Sequence, residues 1–461
     1  MKKKIILLAL IGLLSAAGSL AAAPSATTRK SRTTETSELP VETRLLLKNG
    51  HIIPIAGENF DGDILIVGTK IARLGKNLSV EAGTEVIDLK GQWVMPGIID
   101  SHSHIAIEGD VNEMGNLLTP EVDIRDVINP EDINIFYALT GGVTSIHTMH
   151  GSANPIGGRG IVLKLRWGAD ADGLIFEGAP RTVKWALGEN PKQSNMGSAG
   201  KQRYPKTRMG VEESIRAEFE QAKDYMKSWD VYDRKVREAK TGKGSVPPLP
   251  PRKDYRLEVV ANILRGKYWV RCHAYQAEEM ASIMRLCKEY GVKLAAFEHG
   301  LEGYRITNEL VDNKVAVSTF ADFWAYKWEA YNTMPQSAAL MVKRGVLVAL
   351  NSDDAERMRR LNLDAAKTIR FGGLTELEAL KTITINPAII LGVDKFTGTL
   401  EAGKDADIAV FNHHPLDPYT VCQMTLVDGK VYFDRAKYLD DRRKAEEAKA
   451  AEAAKPKEKK D

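Results

Sequence analysis

Residues 94–105 are VMPGIIDSHSHI, an apolar run that ends directly before two histidines, His102 and His104. A compact apolar run bounded by turn residues predicts a buried β-strand. Because His102 and His104 are two residues apart, both imidazoles project to the same side of an extended backbone. Two neutral nitrogen ligands on one side suit zinc or another borderline transition metal, although a His-x-His pair alone is a weak indicator.

Similar apolar runs recur through the centre of the chain, and several alternate with helical patterns such as AEEMASIMRLCKEYG at 277–291. Repeated strand-then-helix units predict a parallel sheet, and a span of about 290 residues favours a closed (β/α)8 barrel over an open sheet. The runs are GGVTSIHTM (141–149), PRTVKWAL (180–187), YWVRCHAY (268–275), VKLAAFEHG (292–300), KVAVSTF (314–320) and GVLVALNSDD (345–354).

Three further ionisable residues follow predicted strands. His273 comes after YWVRC, His299 after KLAAFE, and Asp353 after GVLVALNS. Barrel active sites collect residues from the carboxyl ends of several strands. We therefore expect His273, His299 and Asp353 to lie near His102 and His104 as candidate metal ligands, and Asp353 is also able to accept a proton.

The residue pattern at both ends of the chain differs from that of the centre. Short apolar runs broken by Gly and Asn predict strands before residue 97 and again after residue 397. A polar, Pro-rich stretch interrupts the centre, and we interpret it as an insertion with one helix near 211–240. A segment that extends into solvent is favoured over a lid that covers the barrel mouth. The predicted parts are a β-sandwich at 43–96 and 398–437, a barrel at 97–397 with its insertion near 190–257, and a charged, solvated tail at 438–461.

Residues 1–23, MKKKIILLALIGLLSAAGSLAAA, have the basic start, apolar run and small residues of a signal peptide. A membrane anchor is the less favoured alternative, because the apolar stretch is short for a span. Residues 24–42 lack hydrophobic periodicity and are interpreted as a linker. These features predict a periplasmic or secreted protein with no stable membrane span after signal removal.

The overall composition is that of an ordinary globular protein. Its 461 residues include 64 Lys and Arg against 61 Asp and Glu, a net charge of +3 that falls to zero once Lys2, Lys3 and Lys4 are removed. Such a balance argues against a nucleic-acid partner, which needs a concentrated basic face. Three cysteines are too few for a disulfide framework. The expected partner is a small-molecule substrate, and homo-oligomerisation is left open.

Taken in order, GIIDSHSHI, HAY, FEHG, LNSDD and TINPAIILGVDKFTGTLEAGKDADIAVF resemble the metal-dependent amidohydrolase superfamily, in the branch with imidazolonepropionase-like and dipeptidase-like proteins. The resemblance extends over 44–433. It implies an α/β fold, a (β/α)8 TIM barrel whose two chain ends jointly build a small β-sandwich. It also implies that His102 and His104 ligate one metal, that His273 and His299 serve a second, and that Asp353 binds the first and handles protons.

Two-metal members of the superfamily bridge their ions with a carboxylated lysine on the fourth strand. PRTVKWALGENPK at 180–192 resembles that stretch, so Lys184 is the favoured candidate. Lys164 in GIVLKLRWG is the competitor, since it also follows an apolar run. The expected cofactors are two ions of Zn²⁺ or another divalent transition metal with a lysine carbamate, or one ion if no carbamate forms.

Three other residues are weaker candidates for substrate contact. His147 and His150 lie in TSIHTMHGSANPIGGRG, whose glycines predict a loop at the barrel mouth. Tyr304 follows His299 closely and could donate a hydrogen bond to a substrate carbonyl. A core, surface or packing role is the alternative for each of them.

The resulting hypothesis is an exported enzyme that hydrolyses an amide, peptide or cyclic amide, with water activated by divalent ions and with Asp353 passing a proton to the leaving nitrogen. One alternative is a mononuclear aminohydrolase (deaminase) or an imidazolone-type ring hydrolase. Deaminases of the superfamily usually carry Glu three residues after the fifth-strand His, where this chain has Gln276. A catalytically inactive metal-binding protein is disfavoured because all five ligand-type residues are present. The sequence leaves the identity of the substrate open.

Overall fold

The computed structural model describes residues 43–195, 203–242 and 248–453. The predicted signal peptide and linker at 1–42 lie outside the described residues. Among the helices that are described, none combines the length and apolar character that crossing a bilayer requires.

The described residues form two sheets of eight strands each. The strands are β1 (Arg44–Ile52), β2 (Phe60–Val67), β3 (Lys70–Gly75), β4 (Glu85–Asp88), β5 (Trp93–Pro96), β6 (Ile98–Ser103), β7 (Val143–Thr148), β8 (Ile156–Lys164), β9 (Thr182–Ala186), β10 (Trp269–Ala274), β11 (Leu294–His299), β12 (Ala316–Thr319), β13 (Val348–Leu350), β14 (Ile408–Phe411), β15 (Cys422–Val427) and β16 (Lys430–Asp434).

Helices connect most strands of the central region, and a further helix follows the last strand. The described α-helices are α1 (Ile133–Leu139), α2 (Ala171–Leu174), α3 (Glu189–Lys192), α4 (Arg208–Lys240), α5 (Tyr255–Leu264), α6 (Ala277–Tyr290), α7 (Thr307–Asp312), α8 (Ser337–Lys343), α9 (Leu361–Gly372), α10 (Glu376–Lys381), α11 (Ile385–Leu391) and α12 (Arg435–Ala453).

The barrel sheet runs in the sequential order β6 to β13. Its two edge strands approach each other through the segment at 382–383: Ile99 donates a backbone hydrogen bond to Ile383 (3.0 Å), and Leu350 donates one to Thr382 (2.9 Å). Strands β6, β7 and β9 are buried along their whole length, as expected for strands covered on both faces. The predicted (β/α)8 barrel architecture is confirmed.

One strand of the barrel runs against the others. β8 pairs antiparallel with both β7 and β9, whereas the other neighbouring pairs are parallel. The expectation of a uniformly parallel sheet was therefore wrong at this strand. The glycine-rich stretch predicted as a mouth loop is also largely β8 itself, since IGGRG opens that strand.

The second sheet is built from both ends of the described chain, as predicted. Its strand order is β16-β15-β14-β5-β1-β2-β3, with β4 paired to β1. Side chains from β1, β2, β5, β14 and β15 form a separate apolar core that includes Leu47, Ile64, Val94, Ile408 and Leu426. Each buried aliphatic side chain of this kind contributes roughly 1.5–3 kcal/mol to stability, so this domain is stabilised by a hydrophobic core of its own.

The long helix α4 has two different halves. Its first half packs on the barrel through Val211, Ile215 and Phe219, and the Phe219 ring lies 5.6 Å from the ring of Trp185 in β9. From Met226 onward no residue of the helix is buried. The insertion therefore covers one side of the barrel before it extends into solvent.

Candidate active site

Four of the predicted ligand residues meet at the carboxyl ends of the barrel strands. Asp353 Oδ1 lies 3.4 Å from His102 Nε2 and 3.1 Å from His104 Nε2, and Asp353 Oδ2 lies 3.9 Å from His299 Nε2. The ligand atoms of His102, His299 and Asp353 are all within 4.8 Å of one another, a spacing that could hold a metal ion.

The fifth predicted ligand residue, His273, adjoins this group. Its ring centre is 4.7 Å from that of His299, and its Nε2 lies 3.4 Å from the side-chain amide nitrogen of Asn190. Nδ1 of His273 is buried and has no hydrogen-bond partner among the described residues. An imidazole nitrogen without a partner in a buried site is the kind of atom that a metal ion would satisfy.

Two of these side chains are directed into the site by unusual backbone conformations. His299 (φ 70°) and Asp353 (φ 50°) both lie in the left-handed region, which non-glycine residues rarely adopt. Asp353 N donates to the His102 carbonyl at 3.2 Å, which ties the end of β13 to the end of β6. Such conformations persist only where the surrounding structure enforces them, and they cluster at functional sites.

Burial favours the neutral form of three of these histidines, His102, His273 and His299. It lowers the pKa of His102 to about 4 and holds the pKa values of His273 and His299 well below their usual range. Burial alone would raise the pKa of Asp353, but attraction to His102, a hydrogen bond from His104 and the proximity of His299 outweigh it and lower that pKa. Neutral imidazoles around an ionised carboxylate are the donor set that zinc prefers, so these residues fit a divalent metal.

Acceptor oxygens next to Nδ1 of His104 and of His102 favour the tautomers that metal binding through Nε2 needs. His104 Nδ1 lies 2.9 Å from the Met149 carbonyl, and His102 Nδ1 lies 3.1 Å from Glu298 Oε2. When a metal ion is bound, a proton on Nδ1 of each ring would leave the lone pair of Nε2 for the ion, in place of the hydrogen bond between His104 Nε2 and Asp353.

Glu298 belongs to a fully buried ion pair that the sequence analysis missed. Arg271 Nε donates to Glu298 Oε1 at 2.6 Å, and Arg271 Nη2 donates to the Ser101 carbonyl at 3.1 Å. Burial would raise the pKa of Glu298, but Arg271 and His102 outweigh it and lower that pKa. The signal was present as a charged residue inside each of two apolar runs, YWVRCHAY and VKLAAFEHG.

Lys184 lies in the wall of the same site. Its side chain is 1% exposed, and its Nζ is 3.0 Å from His102 Nε2. Burial lowers the pKa of this amine, although the carboxylates of Glu298 and Asp353 act in the opposite direction. A buried lysine with a lowered pKa is the form in which the amine can react as a nucleophile.

Comparison with known proteins agrees with this site. The sequence profile of the amidohydrolase family matches residues 331–433. The crystal structure of an amidohydrolase from Thermotoga maritima MSB8 superposes with a TM-score of 0.76 at 35% sequence identity, covering 85% of this chain and 100% of that chain. The chain belongs to the amidohydrolase family. The resemblance found in the sequence motifs is thereby confirmed, and the family makes the chain a hydrolase that acts on carbon–nitrogen bonds.

Curated relatives of this amidohydrolase are more distant. Amidohydrolase tasK of Hapsidospora irregularis is 28% identical over 81% of this chain, which spans only 40% of the length of tasK. A dihydroorotase of Pelotomaculum thermopropionicum is 24% identical over 81% of this chain and 91% of its own length.

The competing lysine, Lys164, lies elsewhere in this amidohydrolase. Because β8 is antiparallel, its last residue lies at the end of the barrel opposite the histidines. Lys164 is 1% exposed, and its Nζ contacts three carboxylates, Asp405 (2.7 Å), Asp407 (3.1 Å) and Asp428. Burial would lower the pKa of Lys164, but the carboxylates outweigh it and raise that pKa. Lys164 is therefore a charged residue that joins the barrel to the β-sandwich.

Replacing Lys164 with methionine is expected to lower the free energy of unfolding by roughly 3–5 kcal/mol, because it leaves buried carboxylates without their cation. The matched control is Lys70→Met. Lys70 contacts the same Asp405 but is 45% exposed, so its removal should cost about 1 kcal/mol or less. Urea unfolding followed by circular dichroism measures both, and equal losses would contradict a structural role specific to Lys164.

Both weaker histidine candidates have their ring nitrogens engaged by the protein. His147 Nε2 lies 2.7 Å from Thr182 Oγ1, and its Nδ1 lies 3.3 Å from the Ser101 carbonyl. His150 Nε2 accepts from the backbone of Glu113 at 2.8 Å, and its Nδ1 lies 2.9 Å from the Gly151 carbonyl. This placement favours a core role over substrate contact for both.

Tyr304 is similarly engaged, since its hydroxyl donates to the Asn332 carbonyl at 3.1 Å and accepts from Arg305 Nε at 3.3 Å. Gln276, the residue that departs from the deaminase pattern, accepts a hydrogen bond from Arg208 through its Oε1. We call the candidate metal ligands His102, His104, His273, His299 and Asp353 the ligand cluster. The contacts of Tyr304 and Gln276 direct neither side chain at it.

An aromatic loop at the site was also missed. The rings of Tyr275 and Phe320 each stack on the imidazole of His299, with ring centres 5.1 and 4.8 Å from its centre. The Tyr275 hydroxyl meets that of Tyr326 at 2.5 Å. The signal was the density of aromatic residues in FADFWAYKWEAY at 320–331. We call residues 320–331 the aromatic loop.

Proposed function

We propose that this amidohydrolase is an exported enzyme that cleaves an amide, peptide or cyclic amide bond of a small molecule with the help of two divalent ions, zinc being the favoured metal. The observation that carries the proposal is the convergence of neutral imidazoles and an ionised aspartate beside a buried lysine. The residues that would hold the ions are His102, His104, Lys184, His273, His299 and Asp353.

Lys184 would serve as a carboxylated ligand. The lone pair of its neutral amine attacks the carbon of carbon dioxide, the nitrogen loses one proton, and the product is a carbamate with a single negative charge. Burial supports this step because it lowers the pKa of the amine and so increases the neutral fraction. The carbamate would supply oxygen ligands next to His102.

Asp353 would handle the proton during hydrolysis. Bound divalent ions would polarise the scissile carbonyl and make bound water more acidic. Asp353 Oδ1 faces His102 and His104, whereas Oδ2 is 3.9 Å from His299 Nε2, beyond hydrogen-bond distance. We propose that Oδ2 accepts the proton of the attacking water and returns it to the leaving nitrogen, which must be protonated to depart.

Gln276 supports amide hydrolysis over deamination. A deaminase needs an acid that protonates the ring, and a carboxamide has no proton of suitable acidity to give. The hydrogen bond from Arg208 to Gln276 further commits this side chain to a structural contact.

Metal loading and removal test the proposed function. Protein expressed with zinc and bicarbonate is expected to contain about two equivalents of zinc per chain by elemental analysis and to release a carboxylate and an amine from members of an amide, dipeptide and cyclic amide panel. Treatment with a chelator should abolish turnover, and added zinc should restore it. Ammonia release from heterocycles by protein with one zinc would favour the mononuclear alternative, and full turnover without metal would contradict both.

A further inference from the structure

Lys327, in the aromatic loop, is separated from each of two candidate metal ligands by a single intervening side chain. Its Nζ is 4.1 Å from the ring centre of Tyr275, which stacks on His299. Nζ also donates to Asn190 Oδ1 at 3.2 Å, while the amide nitrogen of Asn190 lies 3.4 Å from His273 Nε2. The ammonium group therefore lies next to two side chains, each of which contacts a candidate metal ligand.

The positive charge of Lys327 has no carboxylate at direct hydrogen-bond distance among the described residues. Its side chain is only 17% exposed, and the nearest carboxylate oxygen with which it forms an ion pair, Glu189 Oε1, is 3.8 Å away. A direct hydrogen bond between an ammonium and a carboxylate spans about 2.7–2.9 Å. Among the described residues, Asn190 is the one hydrogen-bond acceptor of this ammonium, which has three N–H donors.

The second acidic neighbour, Glu329, is committed to other partners. Its Oε2 accepts the backbone N–H of Glu189 at 3.1 Å, and its Oε1 lies 3.4 Å from Arg208 Nη2. Burial lowers the pKa of Lys327 to about 8, although Glu189, Glu329 and Asp353 act in the opposite direction. A cation that is desolvated and only loosely paired gains from the arrival of an anion.

The rest of the aromatic loop offers an apolar surface beside this cation. Tyr326 is 50% exposed and Trp328 is 81% exposed, and the Lys327 ammonium lies 5.9 Å from the Tyr326 ring. Aromatic rings of this kind bind the apolar body of a ligand while a nearby cation fixes its charged end.

We propose that Lys327 forms an anion-binding subsite that holds a carboxylate group of the substrate, with the apolar part of that substrate against the aromatic loop. The assignment of the carboxylate to a substrate rests on the proposed function. The substrate class is then an amide that carries a free carboxylate, such as an N-acyl amino acid or a dipeptide.

Paired ligands that differ only in charge test the subsite. Calorimetry on zinc-loaded protein compares 3-phenylpropionate with 3-phenylpropionamide, and initial rates compare N-acetyl-L-phenylalanine with its C-terminal amide. We expect the wild type to prefer the carboxylate member of each pair by roughly 10- to 100-fold, the range of one charge-assisted hydrogen bond. Lys327→Met should lose that preference with little change for the neutral member, and Lys327→Arg should keep most of it.

Lys293→Met is the matched control, because the Lys293 ammonium also lies over an aromatic ring, 3.2 Å from the centre of Trp269, but directly before the first residue of β11. It should behave like the wild type. An equal loss for charged and neutral ligands in Lys327→Met, an unchanged carboxylate preference in that variant, or no such preference in the wild type would each overturn the subsite.

The two proposals fail in different ways. Binding of 3-phenylpropionate that depends on Lys327, without hydrolysis of any amide, would support the subsite and contradict the proposed function. Hydrolysis of amides with a carboxylate preference that survives Lys327→Met would support the proposed function and contradict the subsite.

Discussion

Asp353→Asn is expected to lower turnover by roughly 10²- to 10⁴-fold while most of the metal remains bound. Asparagine has the same shape and keeps an oxygen that can ligate a cation, but it cannot accept the proton of the attacking water. The lowered pKa of Asp353 keeps the wild-type residue ionised and ready for that role. Rates at saturating substrate, together with elemental analysis of the same samples, separate the loss of proton transfer from the loss of metal.

The neighbouring Asp354 provides the matched control for this substitution. Its Oδ1 accepts the backbone N–H groups of Glu356 and Arg357, both at 2.8 Å, and asparagine can accept the same bonds. Asp354→Asn should therefore retain near wild-type turnover. If Asp353→Asn also retains it, Asp353 is not the proton carrier.

The ligand cluster could be predicted because it follows from the barrel itself. His273, His299 and Asp353 are far apart in sequence, but each follows an apolar run. The carboxyl ends of parallel strands share one end of a barrel, so residues at those positions must converge. The two β-rich chain ends were likewise visible as alternating runs, and they do join in one sheet.

The direction of β8 was the main error in the predicted fold, and it determines at which end of the barrel Lys164 lies. The connection between β7 and β8 covers only residues 149–155, whereas a crossover between parallel strands needs about a dozen residues or more. The shortness of this connection predicts an antiparallel β8, and an antiparallel β8 places Lys164 at the end of the barrel opposite the histidines. An apolar run shows where a strand is but not which way it points.

The roles of the remaining residues could not be predicted because they depend on contacts between distant segments. Arg271 and Glu298 were visible as charged residues inside apolar runs, but the pattern did not show that they pair across β10 and β11. Lys327 lies in a loop, where no periodicity constrains the direction of a side chain.

Lys184→Met is expected to reduce zinc from about two equivalents per chain to one or fewer and to lower turnover by roughly 100-fold or more. Loss of an outer partner already costs about 10- to 100-fold in metal affinity, and a bridging ligand contributes to both ions. Methionine fills a similar volume in the buried wall but has no amine to carboxylate. Elemental analysis and initial rates on bicarbonate-supplemented protein measure both effects.

Dependence on carbon dioxide distinguishes a carbamate from a lysine that merely packs beside His102. Wild-type protein prepared without bicarbonate should resemble Lys184→Met in zinc content, and bicarbonate should restore the wild type but not the variant. In Lys184→Ala, propionate could occupy the vacated space and supply a carboxylate, so partial recovery of zinc and turnover is expected there and not in Lys184→Met, whose side chain fills that space. Wild-type zinc content that is independent of bicarbonate, combined with two equivalents in Lys184→Met, would show that the ions are held without a carbamate.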